Sequence, residues 1–188
     1  MTGKKGVILK RLTVGKILLI FLIIYIGFLV LPYVCHKKVP ASYQESFDVS
    51  SFYGSGPGPE RTAYIDNNDD ALLWRLRLIE EAREEIILST FDFKSDEAGK
   101  DIIAALMQAS DRGVQVRVIV DGFNGVLKLT GNKYFKALVS CPGVSIKIYN
   151  PISPFRPWDM QARLHDKYLI IDNSMYMLGG RNTMELFL

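Results

Sequence analysis

Apolar residues run along this chain in three rhythms, and each predicts a different element. The first is unbroken. Ile17–Cys35 is 19 residues without a charge, dominated by Leu, Ile, Phe and Val. That is about the length a helix needs to cross a bilayer core. Pro32 falls near its far end and Tyr33 at the headgroup level. The second rhythm is helical. Ala71, Leu72, Leu76, Ile79 and Ala82 form one stripe, with Arg75, Arg77, Glu80, Glu81 and Glu84 mostly on the other face. Ile102, Ile103, Leu106, Met107 and Ala109 form another, capped by Ser95 or Asp96 and stopped by Gly113. A shorter helix is expected over Asn132–Ser140. The third rhythm is that of strands. Glu85–Phe93 is β-branched and aromatic at its centre, Val114–Asp121 has valine at its even positions, and Val144–Tyr149 is a further strand. Asp121–Gly125 reads as a loop and Pro142-Gly143 as a turn. Strands alternating with helices predict an α/β domain, a mostly parallel mixed sheet flanked by helices, preceded by one transmembrane helix.

Charge refines the organisation. Seven of the 23 lysines and arginines lie in residues 1–38, which hold no acid, leaving sixteen bases against twenty acids in the remainder. The basic excess therefore surrounds the apolar run, and no nucleic-acid partner is expected for the globular part. Residues 1–16 read as a basic cytoplasmic segment, 17–35 as an uncleaved signal anchor, 36–61 as a flexible linker and 62–188 as the domain. The alternative is a signal peptide cleaved after Val39-Pro-Ala41. Five bases precede the span, so the positive-inside rule puts the domain outside a cell membrane crossed once. The linker includes Gly54-Ser-Gly-Pro-Gly-Pro59. Cys35 and Cys141 have no metal-site spacing.

The chemistry concentrates in residues 163–182. His165 and Lys167 stand two apart in a run rich in Leu, Ile and Tyr, which predicts a strand with both side chains on one face. Asp172-Asn173-Ser174 then reads as a turn and Met175–Leu178 as the return strand of a hairpin. Gly179 and Gly180 bring bare backbone beside that face, where a ligand can approach closely. A neutral imidazole can attack phosphorus, an ammonium can neutralise phosphoryl oxygens, and the Asn182 amide adds a donor. No carboxylate or cysteine cluster offers a metal site. Pro151, Pro154 and Pro157 exclude regular structure from Asn150–Gln161, a stretch that enters the histidine strand directly and carries Phe155, Arg156 and Trp158. Those side chains suit a lipid headgroup interface, or simply pack on the domain.

His165, Lys167, Asp172, Gly179, Gly180 and Asn182 fill every position of H-x-K-x4-D-x6-G-[SG]-x-N. The stretch thus resembles the phospholipase D superfamily, and the Gly-Gly-Arg-Asn wording looks most like its bacterial cardiolipin synthase-like branch. The resemblance reaches back to about Tyr64. It implies a phospholipase D-like domain with His165, Lys167, Asp172 and Asn182 catalytic, and Arg163, Gly179 and Gly180 binding substrate. It implies a phosphohistidine on His165, a phospholipid substrate and no cofactor. It also implies a second copy of the motif, from a C-terminal half beyond Leu188 or from a homodimer. A further acid tends to lie beyond this point in the family, with Glu185 as a weak substitute. The leading expectation is a membrane-anchored phospholipid phosphodiesterase or phosphatidyltransferase. The alternatives are a single-motif nuclease acting as a homodimer and an inactive membrane-anchored scaffold.

Overall fold

The computed structural model describes residues 2–35, 38–54, 56 and 58–188. The chain divides into two units, residues 1–64 and 65–188. In the first, helix α1 runs from Thr2 to Val34. Its Thr13–Val34 portion, 22 residues, is long and apolar enough to cross a membrane. The expected linker is partly helical: α2 covers Ala41–Ser46, and a 3-10 turn covers Val49–Phe52 with Asp48 accepting from the Ser50 N–H. His36, Lys37 and the linker residues Ser55 and Pro57 lie outside the described residues.

The second unit is a five-stranded mixed sheet with helices packed on it. Its elements are α3 (Asn68–Glu81), β1 (Glu85–Thr90), α4 (Glu97–Asp111), β2 (Gln115–Asp121), α5 (Gly122–Leu129), α6 (Lys133–Val139), β3 (Val144–Tyr149), β4 (Tyr168–Ile171) and β5 (Met175–Leu178). The strand order is β3-β2-β1-β4-β5. β1, β2 and β3 are parallel, while β4 runs antiparallel to β1 and β5 antiparallel to β4. Alternation decides the core. Ile86, Leu88, Val116, Val118, Val120, Leu169 and Ile171 are buried together with Ile79 of α3, Ile102, Ile103 and Leu106 of α4, and Phe135 and Leu138 of α6. Burying each such side chain contributes about 1.5–3 kcal/mol, so the sheet is a stiff base. The helices start where short polar side chains accept from free N–H groups: Asn67 for α3, Asp96 for α4, Asp121 for α5 and Asn132 for α6.

Three expectations need correction. Asp121–Gly125 is no loop: Asp121 caps α5, which runs through it to Leu129. Its first glycine is there for close approach, since a Cβ on Gly122 would lie 2.2 Å from the Asn150 carbonyl oxygen. Arg75 is not on the outer face of α3 but buried in line with Ala71 and Ile79. The strand expected from His165 begins only at Tyr168. His165 and Lys167 lie in the irregular segment that leads into it.

Topology fixes where a site can form. Because β4 opposes β1, the start of β4 lies at the same end of the sheet as the carboxyl ends of β1, β2 and β3. Ligands of α/β sheets bind at that end. The start of β1 and the β4–β5 turn lie at the other.

Candidate active site

Phe91, just past the end of β1, is the hub of the site. The His165 ring packs edge-on against it, with centroids 5.1 Å apart. The Lys167 ammonium lies over the same ring, 5.6 Å from its centroid. One aromatic ring thus contacts both the imidazole and the cation. His165 is exposed and Lys167 is buried. The ammonium donates to the carbonyl of His165 at 2.7 Å, which leaves donors for a ligand. Burial holds the Lys167 pKa below its ordinary value, with Asp166 opposing.

The segment before His165 is tied down by Asp121, which has no exposed surface. Its carboxylate accepts from the N–H groups of Phe123 and Leu164, both at 2.8 Å, and faces the Arg163 guanidinium at 3.4 Å. Arg163 also donates to the Asn150 carbonyl at 2.8 Å. Arg163, expected to bind substrate, is therefore a brace between β2, the proline loop and the residue before the histidine. Asn150, at φ 44°, donates in turn to the carbonyls of Asp159 and Ala162. The loop itself is irregular apart from a 3-10 turn at Pro157–Asp159, and Phe155 stands 89% exposed on it.

Gly179 donates its N–H to the Lys167 carbonyl at 3.1 Å. A Cβ on Gly180 would meet nothing within 4 Å, and one on Gly179 only a backbone nitrogen at 4.0 Å. Among the described residues nothing crowds a side chain at either position, so the space beside them is open. Asn182 is buried, and its side-chain oxygen has no hydrogen-bond partner among the described residues. Next to it, Thr183 bridges to Phe93 in parallel: Thr183 N–H donates to Asp92 and Lys94 N–H to Thr183. The extension of β1 thereby joins Asn182 to the segment carrying Phe91, which holds His165 and Lys167.

Asp172 is elsewhere. It sits at the far end of β4 at φ 49°, and its carboxylate accepts from the backbone N–H groups of Arg83, Glu84 and Glu85 at 2.9, 2.8 and 2.9 Å. These bonds hold its pKa below the usual carboxylate value. The geometry makes Asp172 the anchor of the α3–β1 connection, not a group beside the imidazole. Glu185 is exposed and opens the last 3-10 turn, Glu185–Phe187, its N–H donating to Asp96.

Sequence reasoning missed Phe91, Asp121 and Arg75. It also missed the pair of buried Asp92 with half-buried Lys128, in which the second Asp92 oxygen has no partner among the described residues. Phe91 could have been suspected as an aromatic at the carboxyl end of a buried strand. The others carry no local signal.

A family model described as "Cardiolipin synthase, PLD-like domain" matches residues 76–185. Cardiolipin synthase 1 of Bacillus cereus is 31% identical over 146 residues, 75% of this chain and 28% of that protein. Cardiolipin synthase B of Escherichia coli is 36% identical over 122 residues, 63% of this chain and 28% of that protein. Among solved structures, NucT from Helicobacter pylori is 21% identical, with a TM-score of 0.51 over 64% of this chain and 71% of that one, a likeness of fold. The chain spans less than a third of the length of the curated relatives it matches.

Proposed function

This chain belongs to the phospholipase D superfamily, in its cardiolipin synthase-like branch, and from that premise we propose that it supplies one half-site of a phospholipid phosphodiesterase or phosphatidyltransferase. The observation that carries this is the exposed His165 ring held against Phe91, with the Lys167 ammonium over the same ring. An unprotonated ring nitrogen of His165 attacks phosphorus. A P–N bond forms, the P–O bond to one alcohol breaks, and Lys167 and Asn182 donate to the phosphoryl oxygens. The departing alkoxide needs a proton, because an alcohol is far too weak an acid to leave as its anion near neutral pH. His165 cannot give one while it attacks, so a second histidine does. That histidine comes from a second half of a longer polypeptide or from another copy of this chain. It then takes the proton of water or of an acceptor alcohol, which attacks phosphorus and frees His165. Transfer to an alcohol exchanges one phosphodiester for another, attack by water leaves a phosphomonoester, and neither consumes a nucleotide. The apolar helix would anchor the unit in a cell membrane with its N-terminus cytoplasmic.

The test is acid-quench trapping on the assembled protein with vesicles of 32P-labelled phosphatidylglycerol. The wild type is expected to retain protein-bound label, and His165→Asn to lose both label and turnover. Label retained in His165→Asn sinks the assignment. Cleavage of single-stranded DNA with the lipid untouched selects the nuclease reading. Neither activity selects the scaffold.

A further inference from the structure

Arg75 is an odd residue for its place. It lies on the buried stripe of α3 between Ala71 and Ile79 and is 7% exposed. Among the described residues it enters no ion pair. Instead its guanidinium donates to the carbonyls of Arg181 at 2.9 Å and Asn182 at 3.4 Å. Burial, then the nearby Arg181 charge, pushes its pKa down to about 10. A buried cation without a carboxylate is costly, and an apolar side chain of similar length would serve the stripe at least as well. Stability therefore does not explain Arg75. What it does is geometric: it grips two successive carbonyls beside Asn182. Arg181 secures the same stretch from outside, donating to the Asn68 side chain at 2.9 Å and to the carbonyls of Ile65 and Asp66. The Asn182 side-chain oxygen has no partner of its own among the described residues. The side chain is thus placed through its backbone, held by Arg75 on one side and by the Thr183 bridge to Phe93 on the other.

We propose that Arg75 is a positioning residue for the phosphoryl-binding amide, its buried guanidinium clamping the 181–182 peptides so that Asn182 meets the phosphodiester. The role rests on the proposed chemistry for Asn182, but the clamp itself does not. Arg75 precedes the stretch matched by the family model, which begins at residue 76.

The experiment compares wild type, Arg75→Met and Arg75→Lys in the assembled protein. Its readouts are thermal melts, amide hydrogen exchange over 179–183, and kcat and KM on phosphatidylglycerol vesicles. Arg75→Met is expected to melt near wild type, the relieved desolvation offsetting two lost hydrogen bonds, and to exchange faster at 181–183. Its kcat should fall roughly 10- to 100-fold, the scale of a misplacement of about an ångström, with KM changing less. Arg75→Lys, with one ammonium for two carbonyls, is expected to recover part of both exchange protection and kcat. Unchanged exchange and kcat in Arg75→Met overturn the clamp, as does a uniform loss of stability with no preference for 179–183. Should Arg75→Met fail to fold, Arg75→Lys decides: wild-type exchange and kcat there overturn the clamp. Should the wild type neither turn over lipid nor trap label, the functional reading fails while the exchange comparison still tests the clamp.

Discussion

Replacing Asp172 by asparagine separates anchoring from catalysis. The three backbone bonds to its carboxylate are 2.8–2.9 Å long. Bonds to a charged acceptor contribute roughly 1.5–3 kcal/mol each when shielded, and this half-buried group belongs at or below the low end. In Asp172→Asn the remaining carbonyl oxygen still serves Glu84 and Glu85, while the new NH2 faces the Arg83 N–H. Asparagine tolerates the positive φ, so the loss is that of one donor and the charge, about 1–2 kcal/mol. Asp172→Ala loses all three bonds, about 1 kcal/mol each at this exposure, and adds about 1 kcal/mol for a left-handed alanine, making about 4 kcal/mol. A domain of this kind has about 5–15 kcal/mol in total. Urea unfolding at pH 7 reads the difference as a lower midpoint with unchanged slope. The pH dependence has a definite sign. A carboxylate whose folded pKa lies below 3.8 contributes stability above that value and loses it as pH falls through the folded pKa. The gap between wild type and Asp172→Asn should therefore close in acid below 3.8. Activity per folded molecule should stay near wild type. Unchanged stability with activity down more than about 100-fold, the reach of a catalytic group, would refute the anchoring role.

Two further outcomes are expected. Lys167→Met should cut turnover by roughly 10²–10³, the cost of losing one oxyanion donor. It should match or exceed wild-type stability at neutral pH, because the folded state depresses the Lys167 pKa below 10.5. That advantage should fade as pH rises through the depressed value, and a Lys167→Met protein with normal turnover would remove the ammonium from the mechanism. A single cysteine placed in the 38–54 segment should react with an impermeant maleimide on intact cells, and protection there with labelling of the N-terminus would reverse the topology.

Much of the fold was legible because burial imposes a period. The 71–82 and 102–109 stripes and the valines of β2 became helix and strand as expected. Where the reading failed, a tertiary contact had decided the residue. Gly122 and Gly125 looked like turn glycines, yet they let α5 lie against Asn150 and Ile148. Arg75 looked solvent-facing because an arginine in a helix usually is; its partners are carbonyls more than a hundred residues away. The motif located the site but not the division of labour within it. Spacing alone could not show that His165 and Lys167 contact one aromatic ring while Asp172 holds the opposite end of the sheet.

The outermost described strand has a practical consequence. Among the described residues β5 pairs only with β4, and Met175, Tyr176 and Leu178 are exposed along it. An open edge with apolar side chains is a template for a further strand from any source. Two chains joined along that edge would have the mass of a pair without sharing a catalytic centre. Particle mass alone is therefore a poor report of assembly for this chain. Association that grows without limit with concentration, accompanied by gain of sheet signal in the amide infrared, marks edge growth. A closed dimer that saturates, with turnover tracking its population, marks a shared centre.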